Sequence, residues 1–490
     1  MLLALHTENH KTLSSLGLSP ISGQDIGVTG ISVDSRLTKP GHLFVAVPGV
    51  NQHGAAFIQY ALRMGAGAIL TDPKGAELAK AELDAASVSL VISDNPRKEL
   101  ARAAAVWFGS QPETMVAVTG TNGKTSVACF TRQIWEGLGL RAVNFGTTGV
   151  EGCVAAPLSH TTPEPITLHK LLRDLAEQNV SHAAMEASSH GLAQYRLDGV
   201  HLKAAGFTNF TQDHLDYHAD FKEYFEAKAG LFSRVLPADG VAVLNTDDPR
   251  GLEMKGIAEA RGQHVLTVGE EADLCILGQR FDATGQELRF SYKGETHLVR
   301  LALIGGFQAA NVLMAAGLVI ACGAEPEKVF KTLPLLETVP GRMQLAANRK
   351  NGASVFVDYA HTPAALETAL QALRPHVLGR LIVVFGAGGD RDRGKRPLMG
   401  QAAAQNADVV FVTDDNPRGE VPGDIRAEIL AACPEAVEIG DRAEAILAGV
   451  DALGPGDTLL IAGKGHETKQ VLRGETLEFD DRVVAREALS

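Results

Sequence analysis

Short apolar runs recur along the chain, and each is followed by a turn rich in glycine or aspartate and then by a helical pattern. Two examples are TMVAVTGTNGKTSVACFTRQIW and RLIVVFGAGGDRDRGKRPLMGQAAAQ. Because repeated strand–turn–helix units build parallel sheets, this alternation predicts an α/β fold. A longer periodic stretch, PRKELARAAAVWF, predicts a helix from Pro96 to Phe108.

Interruptions of this pattern predict domain boundaries. The stretch GSQPE, which follows the predicted helix, puts a first boundary near Pro112. A second break lies in LPLLETVPGRMQ, where Pro334 and Pro340 interrupt any helix. A chain of 490 residues also has room for about three domains at ~150 residues each. We therefore expect domains at residues 1–111, 112–336 and 337–490.

Composition and charge narrow the classes of partner. Hydrophobic residues make up 45% of the chain and charged residues 21%, which is typical of a folded globular protein. A net charge of -13 argues against nucleic acid and against anionic membranes, because both would repel the protein. The longest apolar run, LMAAGLVIACGA, is shorter than the ~18 residues that a membrane span needs.

The cysteines and the N-terminus point to the cytoplasm. Five widely spaced cysteines without a C-x-x-C pair indicate free thiols in a reducing compartment. The N-terminal stretch MLLALHTENHK lacks the basic start and the length of a signal peptide. We expect a cytoplasmic protein.

The stretch VAVTGTNGKTS resembles a phosphate-binding loop between a strand and a helix. Gly120 and Gly123 permit the tight backbone in which amide N–H groups converge on phosphate oxygens. Lys124 adds a positive charge, and Thr125 offers a hydroxyl to Mg²⁺. Val118 stands where the strict pattern has a glycine, so an ordinary turn is the alternative. No N-K-x-D guanine motif is present, which favours ATP over GTP.

Further polar residues in the middle of the chain offer metal ligands. Glu186 follows a predicted strand in MEASSHGLAQYRL, and His214 and Lys228 lie downstream. A carboxylate, an imidazole and a threonine hydroxyl form a mixed oxygen and nitrogen set suited to Mg²⁺ or Mn²⁺. Taken singly, the histidine is more often structural, and the lysine reads as a solvated helix residue.

Together these stretches resemble the Mur ligase family of ATP-dependent amide-forming enzymes. The resemblance runs from VDSRLTKPGHLFVAVPG to AGKGHET, which is nearly the whole chain. It implies a uridine-nucleotide-binding first domain, a central ATP-binding domain with a mostly parallel sheet and a Rossmann-like third domain that binds an amino acid. It also implies that a carboxylate is phosphorylated by ATP, that an amine attacks the acyl phosphate, and that Mg²⁺ takes part.

The resemblance assigns roles to individual residues. Lys124, Glu186, His214 and Lys228 would be catalytic, with Lys228 carbamylated, and Thr125, Glu186 and His214 would bind Mg²⁺. The residues expected at ATP are Gly120, Thr121, Asn122, Gly123, Lys124, Thr125, Ser126, Asn311, Arg342, Asp358 and His361. The residues expected at the UDP-sugar are Val33, Ser35, Val50, Asn51, Gln52, Thr161, Thr162, Ser188, Gln194 and Arg196.

Four polar motifs follow four apolar runs in the last third of the chain: SVFVDYAHTP, LIVVFGAGGDRDRGKRP, VVFVTDDNPR and TLLIAGKGHE. Because ligands lie beyond the carboxyl ends of parallel strands, we expect these motifs at one edge of a sheet. The third run predicts a strand over Val409–Thr413, and Arg418 lies beyond it. A guanidinium matches a carboxylate through two parallel hydrogen bonds.

The run DNPR resembles the signature of the family members that add meso-diaminopimelate, where the arginine binds the distal carboxylate. The residues expected at diaminopimelate are Arg391, Asp415, Asn416, Pro417, Arg418, Gly463 and Glu467. The same scaffold adding L-lysine is the near alternative, and a surface turn with a solvated arginine is the structural one. An unpaired arginine in the site would disfavour lysine.

Three positions depart from the family pattern: His160, Gln308 and Ala387 stand where asparagine, asparagine and cysteine are frequent. The interpretation is a monomeric ligase of peptidoglycan precursor synthesis. Its partners are UDP-N-acetylmuramoyl-L-alanyl-D-glutamate, meso-diaminopimelate and ATP, with neither nucleic acid nor a membrane span. A nucleotide-binding switch without ligase activity needs only the phosphate loop and is the alternative from another class.

Overall fold

Parallel strands alternate with helices through most of the chain, and the predicted α/β fold is confirmed. The computed structural model describes residues 10–49, 52–211, 218 and 220–489. The chain forms two compact units. The first comprises residues 1–269 and 314–329, and the second comprises residues 270–313 and 330–490.

The strands are short, as expected for units that alternate with helices. They are β1 (Lys11–Thr12), β2 (Gly27–Val28), β3 (Gly30–Ser32), β4 (His42–Ala46), β5 (Ala68–Thr71), β6 (Ser89–Ile92), β7 (Thr114–Thr119), β8 (Ala142–Gly146), β9 (Gly149–Gly152), β10 (His182–Glu186), β11 (Ala204–Phe207), β12 (Val241–Asn245), β13 (His264–Gly269), β14 (Leu274–Asp282), β15 (Gly285–Tyr292), β16 (Glu295–Leu301), β17 (Gln344–Asn348), β18 (Ser354–Asp358), β19 (Leu381–Phe385), β20 (Val409–Val412), β21 (Val437–Glu438), β22 (Thr458–Ala462), β23 (Lys469–Leu472) and β24 (Glu475–Glu478).

The α-helices follow most of these strands. They are α1 (Ile58–Arg63), α2 (Pro73–Leu78), α3 (Lys80–Ala85), α4 (Pro96–Phe108), α5 (Lys124–Gly137), α6 (Pro165–Glu177), α7 (Ser189–Ala193), α8 (Phe221–Gly230), α9 (Pro249–Ala260), α10 (Phe307–Ala321), α11 (Pro326–Thr332), α12 (Pro363–Leu373), α13 (Lys395–Asn406), α14 (Pro422–Leu430), α15 (Arg442–Asp451) and α16 (Asp481–Leu489). A π-helical turn, Leu231–Val235, continues α8.

The two ends of helix α4 are fixed by capping residues, and they agree with the predicted helix. The Asn95 side chain accepts a hydrogen bond from the backbone N–H of Lys98, and Pro96 occupies the first helical turn, where its missing N–H costs nothing. Gly109, with a φ of 79°, ends the helix. The helix therefore spans the predicted residues, Pro96–Phe108.

The first unit contains a parallel sheet and a mostly parallel sheet that position its polar loops. Strands β3, β4, β5 and β6 form a four-stranded parallel sheet in that order. The larger sheet has the order β13-β12-β11-β7-β10-β8-β9, and within it β9 pairs antiparallel with β8 while the other pairs are parallel. Strand β7 thus lies between β11 and β10, so polar residues after all three strands meet at one edge.

The second unit contains a sheet with the order β17-β18-β22-β19-β20-β21. Strands β18, β22, β19 and β20 pair in parallel, so the four motifs that follow them share one edge, as predicted. Strand β20 ends at Val412, one residue before the predicted end, and the Thr413 hydroxyl instead donates to the carbonyl of Gly440. Strands β14, β15 and β16 form an antiparallel meander in the same unit.

Apolar residues of the strands fill the cores on both sides of each large sheet. The five cysteines are free thiols. Within the described part of the chain, no helix combines the length and the apolar character that a membrane crossing requires.

Candidate active site

The phosphate loop, residues 120–126, joins the buried strand β7 to helix α5. Gly120 has a φ of 143° and Gly123 a φ of 84°, conformations that favour glycine. A Cβ at Gly120 would also overlap the Oγ1 atom of Thr208. The backbone at this turn therefore requires glycine, as a loop that approaches phosphate oxygens should.

Lys124 folds back over this loop. Its Nζ donates to the carbonyl oxygens of Gly120 at 2.9 Å and Thr121 at 2.8 Å. Thr125 and Ser126 follow in the first turn of α5, and both are buried. The N-terminus of a helix and a lysine ammonium are thus at the same loop, which is the arrangement that binds phosphate.

Thr208 and Asn209, which directly follow strand β11, stabilise the conformation of the phosphate loop. The Thr208 hydroxyl donates to the Asn122 carbonyl at 2.5 Å, and the Asn209 Oδ1 accepts from the Asn122 N–H at 2.9 Å. The Asn209 carbonyl accepts from the Thr121 N–H at 2.9 Å. Neither residue was predicted from the sequence. Their position after a strand of the same sheet, in GFTNF, was the available signal.

Glu186 ends strand β10 beside the loop and is 2% exposed. Its Oε2 accepts from the Thr125 hydroxyl at 3.0 Å, and its Oε1 accepts from the Thr147 N–H at 2.8 Å. A buried carboxylate and a hydroxyl at this distance are hard oxygen donors of the kind that Mg²⁺ prefers, so the residues present fit the metal. Thr147, which also donates its hydroxyl to Oε2 at 3.2 Å, was missed from the sequence.

Lys228 is 1% exposed, so the interpretation as a solvated helix residue is wrong. Its Nζ donates to the Gly120 carbonyl at 2.7 Å and lies 4.5 Å from the centroid of the Tyr224 ring. The Tyr224 hydroxyl lies 3.2 Å from Thr121 Oγ1. Helix α8 therefore brings an amine and a phenol to the phosphate loop.

His214 lies outside the described residues, as do Val50 and Asn51. The described histidine nearest to His214 in the sequence is His218, which is buried. Its ring centroid is 5.3 Å from that of Tyr224 and 5.7 Å from that of His190. The rings of Tyr224, His218 and His190 therefore lie next to one another beside the phosphate loop.

A second polar cluster joins five residues that were expected at the sugar-linked substrate. The Thr162 hydroxyl donates to the Glu186 carbonyl at 3.0 Å and accepts from the Ser188 N–H at 3.0 Å. Arg196 donates to the Thr162 carbonyl at 2.5 Å and to Gln194 Oε1 at 2.9 Å. Thr161 Oγ1 lies 3.2 Å from Thr147 Oγ1. The cluster is therefore connected to the Glu186 centre through Thr162.

The other described residues expected at the UDP-sugar follow strands of the four-stranded parallel sheet. Val33 and Ser35 follow β3, where Val33 is 38% exposed and Ser35 is buried. Gln52 is exposed and follows β4 in the chain. The described atoms show no ligand-like arrangement that would assign a role to these three residues.

In the second unit, Asp358 ends strand β18 and is buried. Its carboxylate accepts from the N–H groups of Met343 at 2.7 Å and Ala360 at 2.8 Å. Burial raises the pKa of Asp358, and the nearby Arg342 partly opposes this shift. The Arg342 guanidinium lies over the Tyr359 ring, 4.8 Å from its centroid.

His361 and Asn311 are the other residues of this unit that were expected at ATP. The Nδ1 of His361 lies 2.8 Å from the Tyr359 carbonyl, and burial lowers the pKa of His361. The Asn311 amide donates to Gln308 Oε1 at 3.0 Å. Gln308, which departs from the family pattern, therefore bonds directly to a predicted nucleotide residue.

The C-terminal turn, residues 414–418, follows strand β20. Asp415 and Asn416 are buried, and Pro417 leads to Arg418, which is half-buried. Arg418 has a φ of 51°, and its N–H donates to the Val471 carbonyl at 3.1 Å. Its guanidinium donates to the Gly389 carbonyl at 2.8 Å. Arg418 therefore lies at the sheet edge rather than extending into solvent.

Arg391 behaves differently. Its side chain is exposed, and its guanidinium donates to the neighbouring Asp390 carbonyl at 3.3 Å. On the other side of the turn, Glu467 accepts from the Asn416 amide at 3.0 Å. Gly463, directly after β22, donates its N–H to the Asp358 carbonyl at 3.1 Å. The sheet edge thus brings Asn416, Arg418, Gly463 and Glu467 together, and Arg391 stands apart from their bonds.

Comparison with known proteins covers nearly the entire chain. Residues 27–113 match the model described as Mur ligase family, catalytic domain. Residues 118–319 match the Mur ligase middle domain, and residues 341–465 match the Mur ligase, glutamate ligase domain.

Curated relatives match over the same length. The UDP-N-acetylmuramoyl-L-alanyl-D-glutamate--2,6-diaminopimelate ligase of Mesorhizobium japonicum is 49% identical over 482 residues, which cover 96% of this chain and 98% of the relative. The protein of the same name from Caulobacter vibrioides is 47% identical over 487 residues, 98% of this chain and 99% of the relative.

Solved structures agree. A structure of a UDP-N-acetylmuramoyl-L-alanyl-D-glutamate--2,6-diaminopimelate ligase superposes with a TM-score of 0.75 at 33% identity, and it covers 98% of this chain and 99% of the other. The MurF ligase of Thermotoga maritima in complex with ADP has a TM-score of 0.60 at 19% identity over 94% of this chain and 95% of the other. The second likeness concerns the fold alone.

Proposed function

The chain belongs to the Mur ligase family of ATP-dependent ligases, and on that premise we propose that it joins meso-2,6-diaminopimelate to UDP-N-acetylmuramoyl-L-alanyl-D-glutamate. The products are the UDP-linked tripeptide, ADP and phosphate. A relative named UDP-N-acetylmuramoyl-L-alanyl-D-glutamate--2,6-diaminopimelate ligase matches 96% of the chain at 49% identity. The observation that carries the choice of amino acid is Arg418, whose half-buried guanidinium is fixed at the sheet edge by the Gly389 carbonyl.

The reaction has two steps. A carboxylate oxygen of the D-glutamyl residue attacks the γ-phosphorus of ATP, the bond to ADP breaks, and an acyl phosphate forms. The unprotonated amine of diaminopimelate then attacks the acyl carbon, and the tetrahedral intermediate expels inorganic phosphate. The first step is needed because a free carboxylate has no good leaving group, whereas phosphate is one.

The phosphate loop serves the first step. Charge spreads over the phosphoryl oxygens during transfer, and Lys124 together with the loop N–H groups stabilises it. We assign the ATP phosphates to Gly120, Thr121, Asn122, Gly123, Lys124, Thr125 and Ser126. The rest of the nucleotide is assigned to Asn311, Arg342, Asp358 and His361.

Mg²⁺ would be held by Thr125 and Glu186, whose side-chain oxygens lie 3.0 Å apart, and by His214. When bound, the ion neutralises charge on the phosphoryl oxygens. Lys228, which is 1% exposed beside the loop, would be carbamylated, and the resulting anion would support a second Mg²⁺. Its contact with the Gly120 carbonyl supports this assignment.

The UDP-sugar end is assigned to the first domain and to the second polar cluster. Thr161, Thr162, Ser188, Gln194 and Arg196 would hold the muramoyl-dipeptide, because their network is anchored on the Glu186 carbonyl through Thr162. Val33, Ser35, Val50, Asn51 and Gln52 would lie at uridine and diphosphate. Diaminopimelate would bind Arg391, Asp415, Asn416, Pro417, Arg418, Gly463 and Glu467.

We further propose the division into three domains at residues 1–111, 112–336 and 337–490, a monomeric state and a cytoplasmic location. The family models end and begin near the proposed boundaries, at residues 113, 118, 319 and 341. A cytoplasmic location accords with a reaction that consumes ATP.

The decisive experiment measures ADP release in the presence of ATP, Mg²⁺ and the UDP-linked dipeptide, with diaminopimelate, L-lysine or no amino acid. Mass spectrometry of the product identifies the amide. We expect turnover with diaminopimelate and at least ~100-fold less with lysine, since an arginine left unpaired in a binding site is costly. Equal turnover with lysine refutes the choice of amino acid, and ATP hydrolysis without an amide product favours the nucleotide switch.

A further inference from the structure

Lys464 is a buried lysine for which no role was predicted from the sequence. It follows Gly463 beyond strand β22, and its side chain is fully buried. Its Nζ donates to Asn416 Oδ1 at 3.1 Å, to Glu467 Oε2 at 3.2 Å and to the Lys469 carbonyl at 2.6 Å. An ammonium has three N–H groups, so each of them has one acceptor and the side chain has one preferred orientation.

The three acceptors lie on separate parts of the unit. Asn416 belongs to the C-terminal turn, Glu467 lies in the loop after β22, and Lys469 begins the hairpin of β23 and β24. If the Lys464 ammonium moved away, its buried acceptors would lose a hydrogen-bond donor without gaining water, which is costly. The Lys464 ammonium therefore links the turn, the loop and the hairpin through its three hydrogen bonds.

The network also sets which way the Asn416 amide faces. Its Oδ1 accepts from Lys464 and from the Val471 N–H at 2.9 Å, while its Nδ2 donates to Glu467 Oε2 at 3.0 Å. A flipped amide would turn its N–H groups toward two donors and its oxygen toward a carboxylate. Both changes are repulsive, so the flipped orientation is strongly disfavoured.

Glu467 is oriented by the same atoms. Its bonds to Lys464 and Asn416 both use Oε2, and its side chain is 34% exposed. The hydrogen bonds that Glu467 accepts from described side chains do not use Oε1, so this oxygen can accept from a ligand. A carboxylate held in this way presents an acceptor to an ammonium group of an amino acid.

We propose that Lys464 is a positioning residue that fixes Asn416 and Glu467 for the distal end of the incoming amino acid and thereby strengthens selection of a diamino diacid. This inference rests on the proposed function, because Asn416 and Glu467 are assigned there to diaminopimelate. Lys464 acts through these two side chains. The hairpin that it holds also supplies the Val471 carbonyl, which accepts from the Arg418 N–H at 3.1 Å.

The test is Lys464→Met, which keeps the length of the side chain and removes all three donors. We expect the KM for diaminopimelate to rise roughly 10-fold or more, as the loss of bonds to a charged group implies. The KM values for ATP and the UDP-linked dipeptide should stay within about twofold, and the ratio of kcat/KM for diaminopimelate over lysine should fall. Lys350→Met, at an exposed lysine of the same unit, is the matched control and should leave every parameter unchanged.

A double variant separates positioning from general destabilisation. If Lys464 acts partly through Asn416, adding Lys464→Met to Asn416→Ala should raise the KM for diaminopimelate by a smaller factor than adding it to the wild type. If kcat falls, every KM rises by a similar factor and Tm is lowered, Lys464 has a merely structural role and the inference is overturned. If Lys464→Met does not fold, Lys464→Gln is judged by the same parameters.

The inference and the proposed function fail in different ways. A wild-type protein that does not consume diaminopimelate refutes the proposed function and the inference with it. A wild-type protein that is active while Lys464→Met keeps its KM and its discrimination against lysine refutes the inference alone.

Discussion

The Nζ atom of Lys228 lies 2.7 Å from the carbonyl oxygen of Gly120, so a buried amine from helix α8 contacts the first residue of the phosphate loop. A buried cation next to a loop that binds anions changes the local charge directly when it is modified. Carbamylation of Lys228 would therefore replace a positive charge beside the phosphate loop with a negative one.

Lys228→Met is expected to lower kcat at least ~100-fold, a magnitude typical for the removal of a preorganised electrostatic group. Steady-state ADP release with diaminopimelate measures this loss. Lys222→Met, at an exposed lysine of the same helix that pairs with Glu226 at 3.8 Å, is the control and should retain full activity. If the carbamate forms, protein equilibrated with ¹³C-bicarbonate shows a carbamate resonance that is missing from Lys228→Met. Full turnover by that variant would remove Lys228 from the mechanism.

Glu186→Gln should raise the Mg²⁺ concentration needed for half-maximal turnover and lower kcat by roughly 100-fold. The amide has no negative charge, and its NH₂ group would face either the Thr147 N–H or the Thr125 hydroxyl that the carboxylate now accepts from. A titration of activity with Mg²⁺ at saturating ATP gives both quantities. Glu177→Gln, at the exposed end of α6, is the matched control. An unchanged Mg²⁺ dependence would contradict the assignment of Glu186 as a ligand.

Arg418→Ala should raise the KM for diaminopimelate by about 100-fold, since a charge-assisted bond to a carboxylate contributes roughly 1.5–3 kcal/mol. The KM for ATP should change little, because Arg418 is not among the residues assigned to ATP. Initial rates at varied diaminopimelate concentration provide the measurement. Arg473→Ala, an exposed arginine in the turn between β23 and β24, is the control. A variant that binds diaminopimelate normally would refute the role of Arg418.

The contiguous parts of the site could be predicted from the sequence. The phosphate loop is recognisable because its glycines, lysine and threonine follow one another between a buried strand and a helix. The four polar motifs of the second unit follow apolar runs, so the rule for parallel sheets places them at one edge. The strand–turn–helix alternation likewise gave the fold class.

The residues that come from several strands could not be predicted in this way. Thr147, Thr208 and Asn209 contact the phosphate loop or Glu186 from separate strand ends, and single threonines and asparagines have no distinctive pattern. Taken singly, Lys228 was expected to be solvated because lysine usually is, and the sequence made no prediction for Lys464. Their burial depends on acceptors from distant parts of the chain: the Gly120 carbonyl for Lys228, and Asn416, Glu467 and the Lys469 carbonyl for Lys464.

His169 on helix α6 makes the stability of the first unit depend on pH. Burial, with a smaller contribution from His201, lowers the pKa of His169 to about 4. Among the described residues its Nε2 has no hydrogen-bond partner, so a protonated ring would be both charged and unpaired. The folded pKa lies below the value of 6.5 for an ordinary histidine. Between these values the unfolded chain binds the extra proton, and stability falls as pH falls.

From pH 6.5 to pH 5 this single group should cost about 1.5 kcal/mol, because the slope approaches roughly 1.36 kcal/mol for each pH unit only once the unfolded histidine is mostly protonated. His169→Gln, which cannot be protonated, should therefore lose less stability than the wild type over that interval, even if its stability at pH 7.5 is lower. Thermal unfolding midpoints at pH 7.5 and pH 5 measure the difference, and the exposed His264→Gln is the control. The same decline in wild type and His169→Gln would show that other groups cause the acid sensitivity, because removal of a titrating group must remove its proton uptake from the unfolding equilibrium.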